Sequence, residues 1–453
     1  MKTSLILVNP WIYDFAAYDL WSKPLGLLYL SGYLRKCGFE IHLIDCLDVH
    51  HPEMKLDPSL KTPVRRAYGT GKFWRQEVPR PSPLKHIPRP YSRYGISEEI
   101  FEDALSRVRN PAAILVTSLM TYWYPGIEAV VRIAKKVHPR VPVILGGIYA
   151  GLCYDHAVRQ TRADCVVTDR DLKAVLKILD DYDIPTPGFS PDAPPLPYPA
   201  FDLLTKLEYV CLLTGIGCPF RCRYCASHFL NPEPFRRDPG EVLDEICFWH
   251  ARFGVRDFAF YDDALLAASE AHLMVLLEGL ARLRLDLRFH TPNALHVKGI
   301  TADIAKRMYQ TGFRTIRLGL ETSDFSLHRH LDDKFQEGDF EQAVNHLLTA
   351  GFSHKQIGAY ILIGLPDQSV HSVMETIEFV ANAGAIPFLS EYSPIPYTAL
   401  WNDAINCSEY DLASEPLFQN NTLLPCWESS QRKELPKLKR RVLEIRRKNR
   451  RRE

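Results

Sequence analysis

The sequence lacks any run of about eighteen apolar residues, which is the shortest stretch that reads as a membrane-spanning helix. It also lacks an excess of either charge, because 55 Lys and Arg residues are balanced by 54 Asp and Glu residues. A chain this neutral has no overall field that would draw it to nucleic acid or to a membrane surface. We therefore expect no nucleic-acid partner and no membrane span.

The N-terminal MKTSLILVNP lacks the long apolar core and the cleavage site of a signal peptide. The eleven cysteines form an odd number, which does not indicate a framework of paired disulfides. Both features predict a reduced, cytoplasmic setting. The length of 453 residues predicts two or three domains.

Residues 1–182 alternate short apolar strands with amphipathic helices. The strand Leu5–Val8 precedes the helix Pro24–Cys37, in which leucines form one stripe and which Gly38 ends. This alternation predicts an α/β domain with an open parallel sheet of the flavodoxin or Rossmann type. The other predicted elements are the strands Glu40–Asp45, Ala113–Ser118, Val141–Leu145 and Asp164–Thr168, and the helices Ser97–Arg109, Pro125–Val137, Ala150–Gln160 and Leu172–Leu179.

Two stretches interrupt the alternation. His50–Gly95 is rich in Pro, Arg, Tyr and Trp, which favours an irregular, ordered insertion rather than a core element. Residues 183–200 carry seven prolines, at positions 185, 187, 191, 194, 195, 197 and 199. Such a stretch is stiff and extended, so we predict a linker between domains here.

A short cysteine array follows the linker, in the stretch Cys218-Pro-Phe-Arg-Cys222-Arg-Tyr-Cys225. It comes after a predicted strand, Tyr209–Thr214, and a Gly215-Ile-Gly217 turn. Thiolates suit iron–sulfur clusters, and a 4Fe-4S cluster takes four of them. Three local thiols would leave one iron open to a small molecule. The alternative is a zinc knuckle with a distant fourth ligand such as His228.

Residues 201–400 alternate strands and helices again and predict a partial (β/α)6 barrel. In such barrels the chemistry lies where the strands end. Apart from the cysteine array, the predicted strand ends carry Tyr261-Asp262-Asp263, Pro292-Asn293, Gly319-Leu-Glu321, Gly364-Leu-Pro366 and Ser393-Pro-Ile-Pro396. Each motif alone is weak evidence for a functional site. The prediction of an active site rests on their meeting at one end of the barrel, the mouth where the strands end.

The array, with Tyr224 before its third cysteine, resembles the signature of the radical S-adenosylmethionine (SAM) enzymes. The resemblance implies a 4Fe-4S cluster on Cys218, Cys222 and Cys225, and SAM on the remaining iron. It implies reductive cleavage of SAM to a 5′-deoxyadenosyl radical. It also implies an external electron donor such as flavodoxin or ferredoxin.

The same resemblance assigns SAM contacts along the mouth. Asp262 and Asp263 would accept the amino group of SAM, and Glu321 would bond the ribose hydroxyls. The other residues that it implies for SAM are Tyr224, Asn293, Gly364 and Pro366. Lys334 is a candidate partner for the SAM carboxylate, but we expect it to be solvated.

Ser118-Leu-Met120 and Gly146-Gly147 resemble the Ser-x-Leu and Gly-Gly pattern of cobalamin-binding domains. The resemblance implies that Ser118, Gly146 and Gly147 contact cobalamin. The family's Asp-x-His-x-x-Gly motif is missing, since the loop Asn9–Lys23 contains no histidine. Either cobalamin binds without a histidine on cobalt, or the domain is a cofactor-free relic.

Residues 401–453 predict a small C-terminal extension with a basic helix from Arg432 onward. Cys426 in this extension is expected to be an inert packed thiol. Two enzymatic outcomes stay open: methylation of an unactivated carbon of a small molecule or peptide, and a rearrangement, cyclisation or reduction without methyl transfer. An RNA-modifying radical SAM enzyme and a non-catalytic binding protein are the remaining alternatives.

Overall fold

A computed structural model describes residues 3–56, 60–169, 171–188, 198–267, 272–334 and 336–450. The described chain divides into two compact units. The first unit comprises residues 1–208 and 414–417, and the second comprises residues 209–413 and 418–453. Half of the predicted proline-rich linker, residues 189–197, lies outside the described residues.

The first unit is built on a parallel sheet of five strands in the order β10-β9-β8-β1-β4. This confirms the predicted α/β fold with an open parallel sheet. The residues of β1 and β8 are almost entirely buried, as expected for a sheet covered on both faces. The strands of the unit are β1 Ser4–Asn9, β2 Ile12–Asp14, β3 Tyr18–Asp19, β4 Glu40–Asp45, β5 Gly71–Lys72, β6 Arg75–Val78, β7 Tyr91–Tyr94, β8 Ala113–Val116, β9 Val143–Leu145 and β10 Cys165–Val166.

The helices of this unit start and stop close to the predicted positions. The Ser97 side chain caps the second helix by accepting a hydrogen bond from the Ile100 amide at 3.3 Å. The predicted helix Ala150–Gln160 is two helices that meet at Cys153. The helices are α1 Leu25–Lys36, α2 Glu98–Arg107, α3 Tyr124–Val137, α4 Ile148–Leu152, α5 Tyr154–Thr161 and α6 Ala174–Asp181.

The insertion at 50–95 is more regular than predicted. Strands β2, β7 and β6 form an antiparallel sheet of three strands, in which Tyr13 pairs with Arg93. The prediction of an irregular loop was wrong because β6, Arg75–Val78, has the sequence RQEV and no apolar run. Its backbone pairing with β7, and not a buried face, makes it a strand.

The second unit contains six parallel strands in sequential order, β11-β14-β15-β16-β17-β18. Each strand after the first is preceded by at least one helix, which is the arrangement predicted for a partial (β/α)6 barrel. The strands of the unit are β11 Val210–Leu212, β12 Gly215–Ile216, β13 Phe235–Arg236, β14 Asp257–Phe260, β15 Arg288–His290, β16 Phe313–Glu321, β17 Ile357–Ile363 and β18 Ile386–Glu391.

Several helices of the second unit begin at small polar caps. The side chains of Asp238, Thr301 and Ser369 each accept a backbone hydrogen bond at a helix start. The helices are α7 Ser227–Leu230, α8 Pro239–Phe253, α9 Leu273–Leu283, α10 Ala302–Gln310, α11 Phe325–Leu331, α12 Asp339–Ala350, α13 Val370–Asn382, α14 Trp401–Cys407, α15 Ser429–Arg432 and α16 Leu435–Arg450. Among the helices that the structure describes, none has both the length and the apolar character that crossing a bilayer requires.

Candidate cluster and cofactor sites

The cysteine array lies between β12 and α7. Gly217 precedes it with a φ of +83°, and a Cβ there would lie 3.1 Å from the Cα of Pro234, so the turn favours glycine. The Cys225 amide donates to the Cys222 carbonyl at 3.0 Å, which closes a tight turn between these two cysteines. The Arg223 amide donates to the Leu331 carbonyl at 2.8 Å and fixes the middle of the loop.

The three thiols are partly withdrawn from water. Burial raises the pKa of Cys218 and Cys225, and it raises the pKa of Cys222 to about 11. The three thiols are near one another, because Cys225 contributes to the raised pKa of Cys222 and Cys218 contributes to the raised pKa of Cys225. In the described part of the chain, no three Cys, His, Asp or Glu side chains converge on a point that would hold a single metal ion. Three thiols held together in one short loop fit a 4Fe-4S cluster, in which each thiolate binds one iron.

Asp262 and Asp263 follow β14 but point to different partners. Asp262 is buried and accepts hydrogen bonds from the Thr214 amide at 3.1 Å and from the Thr214 hydroxyl at 2.5 Å. Asp263 accepts from the Ser227 hydroxyl at 2.7 Å, and its charge raises the pKa of Cys218 and Cys225. Asp263 is therefore the carboxylate beside the cysteines, whereas Asp262 is held within the fold.

Asn293 holds the end of the neighbouring strand in place. Its side-chain amide donates to the backbone carbonyls of Tyr261 at 2.9 Å and of Asp262 at 3.3 Å. The Tyr360 hydroxyl donates to the Pro292 carbonyl at 2.7 Å. These bonds tie the ends of β14 and β15 to each other and to the middle of β17, so Asn293 shapes the mouth through the backbone.

Glu321 ends β16 in an unusual backbone conformation. The pairing of β16 with β17 shifts register between Gly319 and Glu321, and Glu321 has a φ of +65°. Such an irregularity re-aims a side chain. Its carboxylate is buried and accepts a hydrogen bond from the Tyr224 hydroxyl at 3.0 Å. Burial raises the pKa of Glu321.

Lys334 is buried beside this carboxylate, so the expectation of a solvated lysine was wrong. Its ammonium donates to the Tyr224 hydroxyl at 2.8 Å and lies 3.3 Å from Asp332 and 3.6 Å from Glu321. Its positive charge also lowers the pKa of Cys222, which burial raises. Burial alone would lower the pKa of Lys334, but the nearby anionic groups outweigh burial and raise it.

Asp332 and His328 complete this cluster, and sequence reasoning missed both. The Nδ1 of His328 lies 2.9 Å from Asp332 Oδ1, and its Nε2 donates to the Thr322 carbonyl at 2.7 Å. Both side chains are almost fully buried. Their separation of four residues, the spacing of neighbours along a helix, was the available signal.

Gly364 and Pro366 form a turn after β17. The Gly364 amide donates to the Gln368 side chain at 2.9 Å. Gly364 has a φ of +88°, and a Cβ there would lie 2.8 Å from the Leu424 side chain. These contacts give Gly364 a role in packing the turn, and its predicted contact with SAM stays a prediction.

Ser118, Gly146 and Gly147 lie together beyond the ends of β8 and β9. The Ser118 hydroxyl donates to the Gly146 carbonyl at 2.7 Å. A Cβ on Gly147 would lie 2.4 Å from the Ser118 carbonyl oxygen, whereas a Cβ on Gly146 would meet only the Val167 carbonyl at 4.0 Å. Ser118 and Gly147 thus join the two loops, and Gly146 is the position with open space beside it.

The loop Asn9–Lys23 uses most of its aromatic residues for packing. Trp11, Phe15 and Trp21 are buried, and the Trp11 indole donates to the Ile96 carbonyl at 2.7 Å. Tyr18 is half exposed. The loop therefore offers less free aromatic surface to a bound corrin than its composition indicates. The residues around Gly146 fit a nucleotide tail better, because they leave room next to the backbone.

Two family models match the chain. The model described as the Radical SAM superfamily matches residues 212–380, and the model described as a B12 binding domain matches residues 91–176. The first match spans β11 to α13, including the cysteine array, and the second includes Ser118 and both glycines.

Similar proteins include an uncharacterized methyltransferase of Pyrococcus horikoshii. It is 24% identical over 353 residues, which cover 69% of this chain and 74% of that protein. An uncharacterized protein of Methanocaldococcus jannaschii is 23% identical over 203 residues, covering 44% of this chain and 43% of that protein.

Similar solved structures include the radical S-adenosylmethionine methyltransferase TsrM from Kitasatospora setae, with cobalamin and a 4Fe-4S cluster bound. It is 16% identical, with a TM-score of 0.63, and the match covers 90% of this chain and 78% of that chain. OxsB, a cobalamin-dependent S-adenosylmethionine radical enzyme, is 13% identical, with a TM-score of 0.56 and coverage of 98% and 56%. At these identities the likeness shows a shared fold. Together with the two domain matches, it confirms the sequence-based assignment: the chain contains a radical SAM domain and a B12-binding domain.

Proposed function

We propose that the protein is a cobalamin-dependent radical SAM methyltransferase that acts on a small molecule. The chain carries both domains that such an enzyme needs. The Pyrococcus horikoshii relative is named a methyltransferase, and TsrM, whose fold the chain shares, is a methyltransferase solved with tryptophan as substrate and a SAM analogue. These names support methyl transfer over a rearrangement or reduction.

The observation that carries the proposal is the group of charged side chains next to Cys222. SAM presents an ammonium, a carboxylate and two ribose hydroxyls. Asp263 lies beside Cys218 and Cys225, where it would accept from the ammonium, and Lys334 lies beside Cys222, where it would donate to the carboxylate. Glu321 would accept from a ribose hydroxyl.

The bound groups would supply the difficult chemistry, since the cluster and SAM provide a radical and cobalamin provides a methyl carrier. The chain's own residues bind and orient these groups. The Tyr224 hydroxyl hydrogen-bonds to both Glu321 and Lys334, so it holds these two side chains in a fixed position relative to one another. Asn293 keeps the carbonyls of Tyr261 and Asp262 in place at the same mouth.

The test is anaerobic reconstitution followed by analysis of cofactors and products. We expect about one 4Fe-4S cluster per chain and bound cobalamin. With SAM labelled on its methyl group and a reduced flavodoxin or ferredoxin as electron donor, labelled methyl should appear on a carbon of the substrate. Tryptophan, the substrate of TsrM, is the first compound to test, followed by other small molecules and peptides.

Two results would contradict the proposal. Zinc at full occupancy without iron would exclude the cluster. A product formed in the presence of cobalamin that contains no labelled methyl would instead favour rearrangement, cyclisation or reduction.

A further inference from the structure

Glu321 lies at the centre of a strained turn at the end of β16. The Thr322 amide donates to the Leu320 carbonyl at 2.7 Å, which closes a turn of three residues around Glu321. A positive φ at the centre of such a turn is rare, and Glu321 has a φ of +65°. Strain of this kind persists only where surrounding contacts hold the backbone in place. The contacts of this turn therefore decide where the Glu321 carboxylate points.

One of these contacts comes from His328 on α11. Its Nε2 donates to the Thr322 carbonyl at 2.7 Å, directly after Glu321. His328 is 1% exposed and Thr322 is 2% exposed, so water does not compete for this bond. The backbone of His328 is fixed as well, because its amide donates to the Asp324 carbonyl at 3.1 Å at the start of the helix. The imidazole thus holds the turn from a helix.

The other ring nitrogen of His328 faces a residue that contacts Lys334. Nδ1 lies 2.9 Å from Asp332 Oδ1, and the second carboxylate oxygen of Asp332 lies 3.3 Å from the Lys334 ammonium. The Asp332 amide also donates to the His328 carbonyl at 2.9 Å, so backbone and side-chain bonds join the same two residues. One imidazole therefore contacts the residues that support both Glu321 and Lys334.

The two bonds of the His328 ring require two protons. Its nitrogens face a backbone carbonyl on one side and a carboxylate on the other. A neutral imidazole has one N–H, so its second nitrogen would place a lone pair against an oxygen, whereas a ring with both protons donates to both oxygens. Burial would raise the pKa of Asp332, but the hydrogen bond with His328 and the charge of Lys334 outweigh burial and lower it. Asp332 is thus an anion between two cations.

We propose that His328 is a positioning residue for SAM. Its Nε2–H holds the turn that aims Glu321 at the ribose, and its Nδ1–H holds Asp332, which aims Lys334 at the carboxylate. The inference rests on the SAM contacts proposed above for Glu321 and Lys334. The His328 side chain is itself almost fully buried and acts through these residues. It would set the positions of two SAM contacts that approach opposite ends of the ligand.

Two substitutions separate the two ring nitrogens. In His328→Asn the side-chain amide takes the place of Nδ1–H and can donate to Asp332, but it does not reach the Thr322 carbonyl. In His328→Gln the longer side chain takes the place of Nε2–H and can donate to Thr322, but it leaves Asp332 without this donor. Each variant therefore releases one of the two SAM contacts.

The experiment measures the affinity of the full-length, reconstituted protein for three ligands by calorimetric titration. The cluster is kept oxidised, so that SAM is not cleaved. The ligands are SAM, decarboxylated SAM, which lacks the carboxylate, and a dideoxy analogue of SAM, which lacks both ribose hydroxyls. The wild type should bind SAM about tenfold more tightly than either analogue, the scale of a hydrogen bond to a charged group.

We expect each variant to lose one of these two preferences. His328→Gln should bind SAM and decarboxylated SAM equally well, because Lys334 is no longer aimed, and should keep its preference for SAM over the dideoxy analogue. His328→Asn should show the reverse pattern, because the turn at Glu321 is released. The iron content of both variants should equal that of the wild type.

His346→Gln is the matched control. His346 is a partly buried histidine of α12, and its Nδ1 lies 2.8 Å from the Ile300 carbonyl oxygen. Its replacement removes a similar bond to a residue outside the proposed SAM contacts, so both preferences should be retained. Equal weakening of all three ligands in the His328 variants, with a lower unfolding midpoint, would show a structural role and overturn the proposal. Unchanged affinities would overturn it as well.

Asp332→Asn decides the question if the His328 variants do not fold. The change keeps the shape and removes the charge beside Lys334, so the preference for SAM over decarboxylated SAM should be lost, and a retained preference would overturn the proposal. None of these measurements needs methyl transfer. If Glu321→Gln weakens SAM binding and the His328 variants do not, the positioning role fails while the SAM contact stands. If the affinities follow the expected pattern and no labelled methyl is transferred, only the proposed reaction fails.

Discussion

Lys334 Nζ lies 3.6 Å from Glu321 Oε1, where the lysine side chain is only 10% exposed and the glutamate only 8%. A buried charge is costly unless it is paired. Lys334 has two carboxylates and the Tyr224 hydroxyl around it, so its removal would leave negative charge unbalanced next to Cys222.

We expect Lys334→Met to lower the free energy of unfolding of the second unit by about 3 kcal/mol, since breaking a buried pair costs that much. Chemical unfolding of the purified variant measures this. Lys298→Met is the control, because Lys298 is half exposed and 3.8 Å from Asp339. The double variant Lys334→Met/Glu321→Gln should recover part of the loss. Equal stability of Lys334→Met and Lys298→Met would contradict the buried pair.

Glu321→Gln tests the proposed contact with the ribose. The change keeps the shape and removes the charge, so the cluster should be retained while SAM binding weakens by roughly 1–3 kcal/mol. Calorimetric titration of SAM into the reconstituted variant measures the affinity. Tyr224→Phe, which removes only the hydroxyl that bonds Glu321, should have a smaller effect. Unchanged affinity in Glu321→Gln would reject the role.

Cys222→Ala should abolish both the cluster and the cleavage of SAM, because the remaining two local thiols are too few to hold a 4Fe-4S cluster. Iron and sulfide content after anaerobic reconstitution is the measurement. Cys211→Ala is the control, since Cys211 is buried on β11 and does not belong to the array. A full cluster in Cys222→Ala would show that the ligands are wrongly assigned.

The succession of strands and helices along the chain in both units, and the motifs at the strand ends, were predictable from the sequence. Apolar runs and turn residues are local signals, and Cys218, Cys222 and Cys225 lie within eight residues of one another. The burial of Lys334 was not predictable in this way. It depends on contacts with Tyr224 and Glu321, which are distant in the sequence.

The roles of the two glycines were also beyond local reasoning. Both belong to one motif, but only the fold shows that Gly147 lies against Ser118 whereas Gly146 faces open space. The prediction of an irregular loop at 50–95 was wrong for a related reason. Strand β6 forms because its backbone pairs with β7, and not because one of its faces is apolar. Pairing between distant segments leaves no periodic signal in a strand without apolar residues.

Glu208 should make the stability of the first unit depend on pH. His50 lies 2.9 Å from its carboxylate, and this hydrogen bond, with help from Lys206, lowers the pKa of Glu208 from 4.5 to about 2. A lowered pKa stabilises the folded state above the unfolded pKa, and the stabilisation is lost as the pH falls from about 4.5 towards 2.

Glu208→Gln should therefore cost about 1 kcal/mol at neutral pH, a value reduced by partial exposure to solvent. The difference from the wild type should shrink between pH 4.5 and 2. Unfolding midpoints across this range measure it, with the exposed Glu77 changed to Gln as the control. A constant difference at every pH would argue against the lowered pKa.

Gly146→Leu is the sharpest test of the cobalamin site. A Cβ at this position meets only the Val167 carbonyl, at 4.0 Å, so the fold should tolerate the change while the side chain fills the space next to the backbone. We expect the variant to keep its cluster and its unfolding midpoint and to lose bound cobalamin, measured by absorbance after reconstitution.

Gly147→Leu is an unsuitable probe, because its Cβ would lie 2.4 Å from the Ser118 carbonyl oxygen and would disturb the fold itself. Gly151→Leu is the matched control, since a Cβ there meets no atom within 4 Å and Gly151 lies outside the Gly-Gly motif. Full cobalamin binding by Gly146→Leu would show that the nucleotide tail lies elsewhere, and loss in both variants would show that the effect is not specific to the motif.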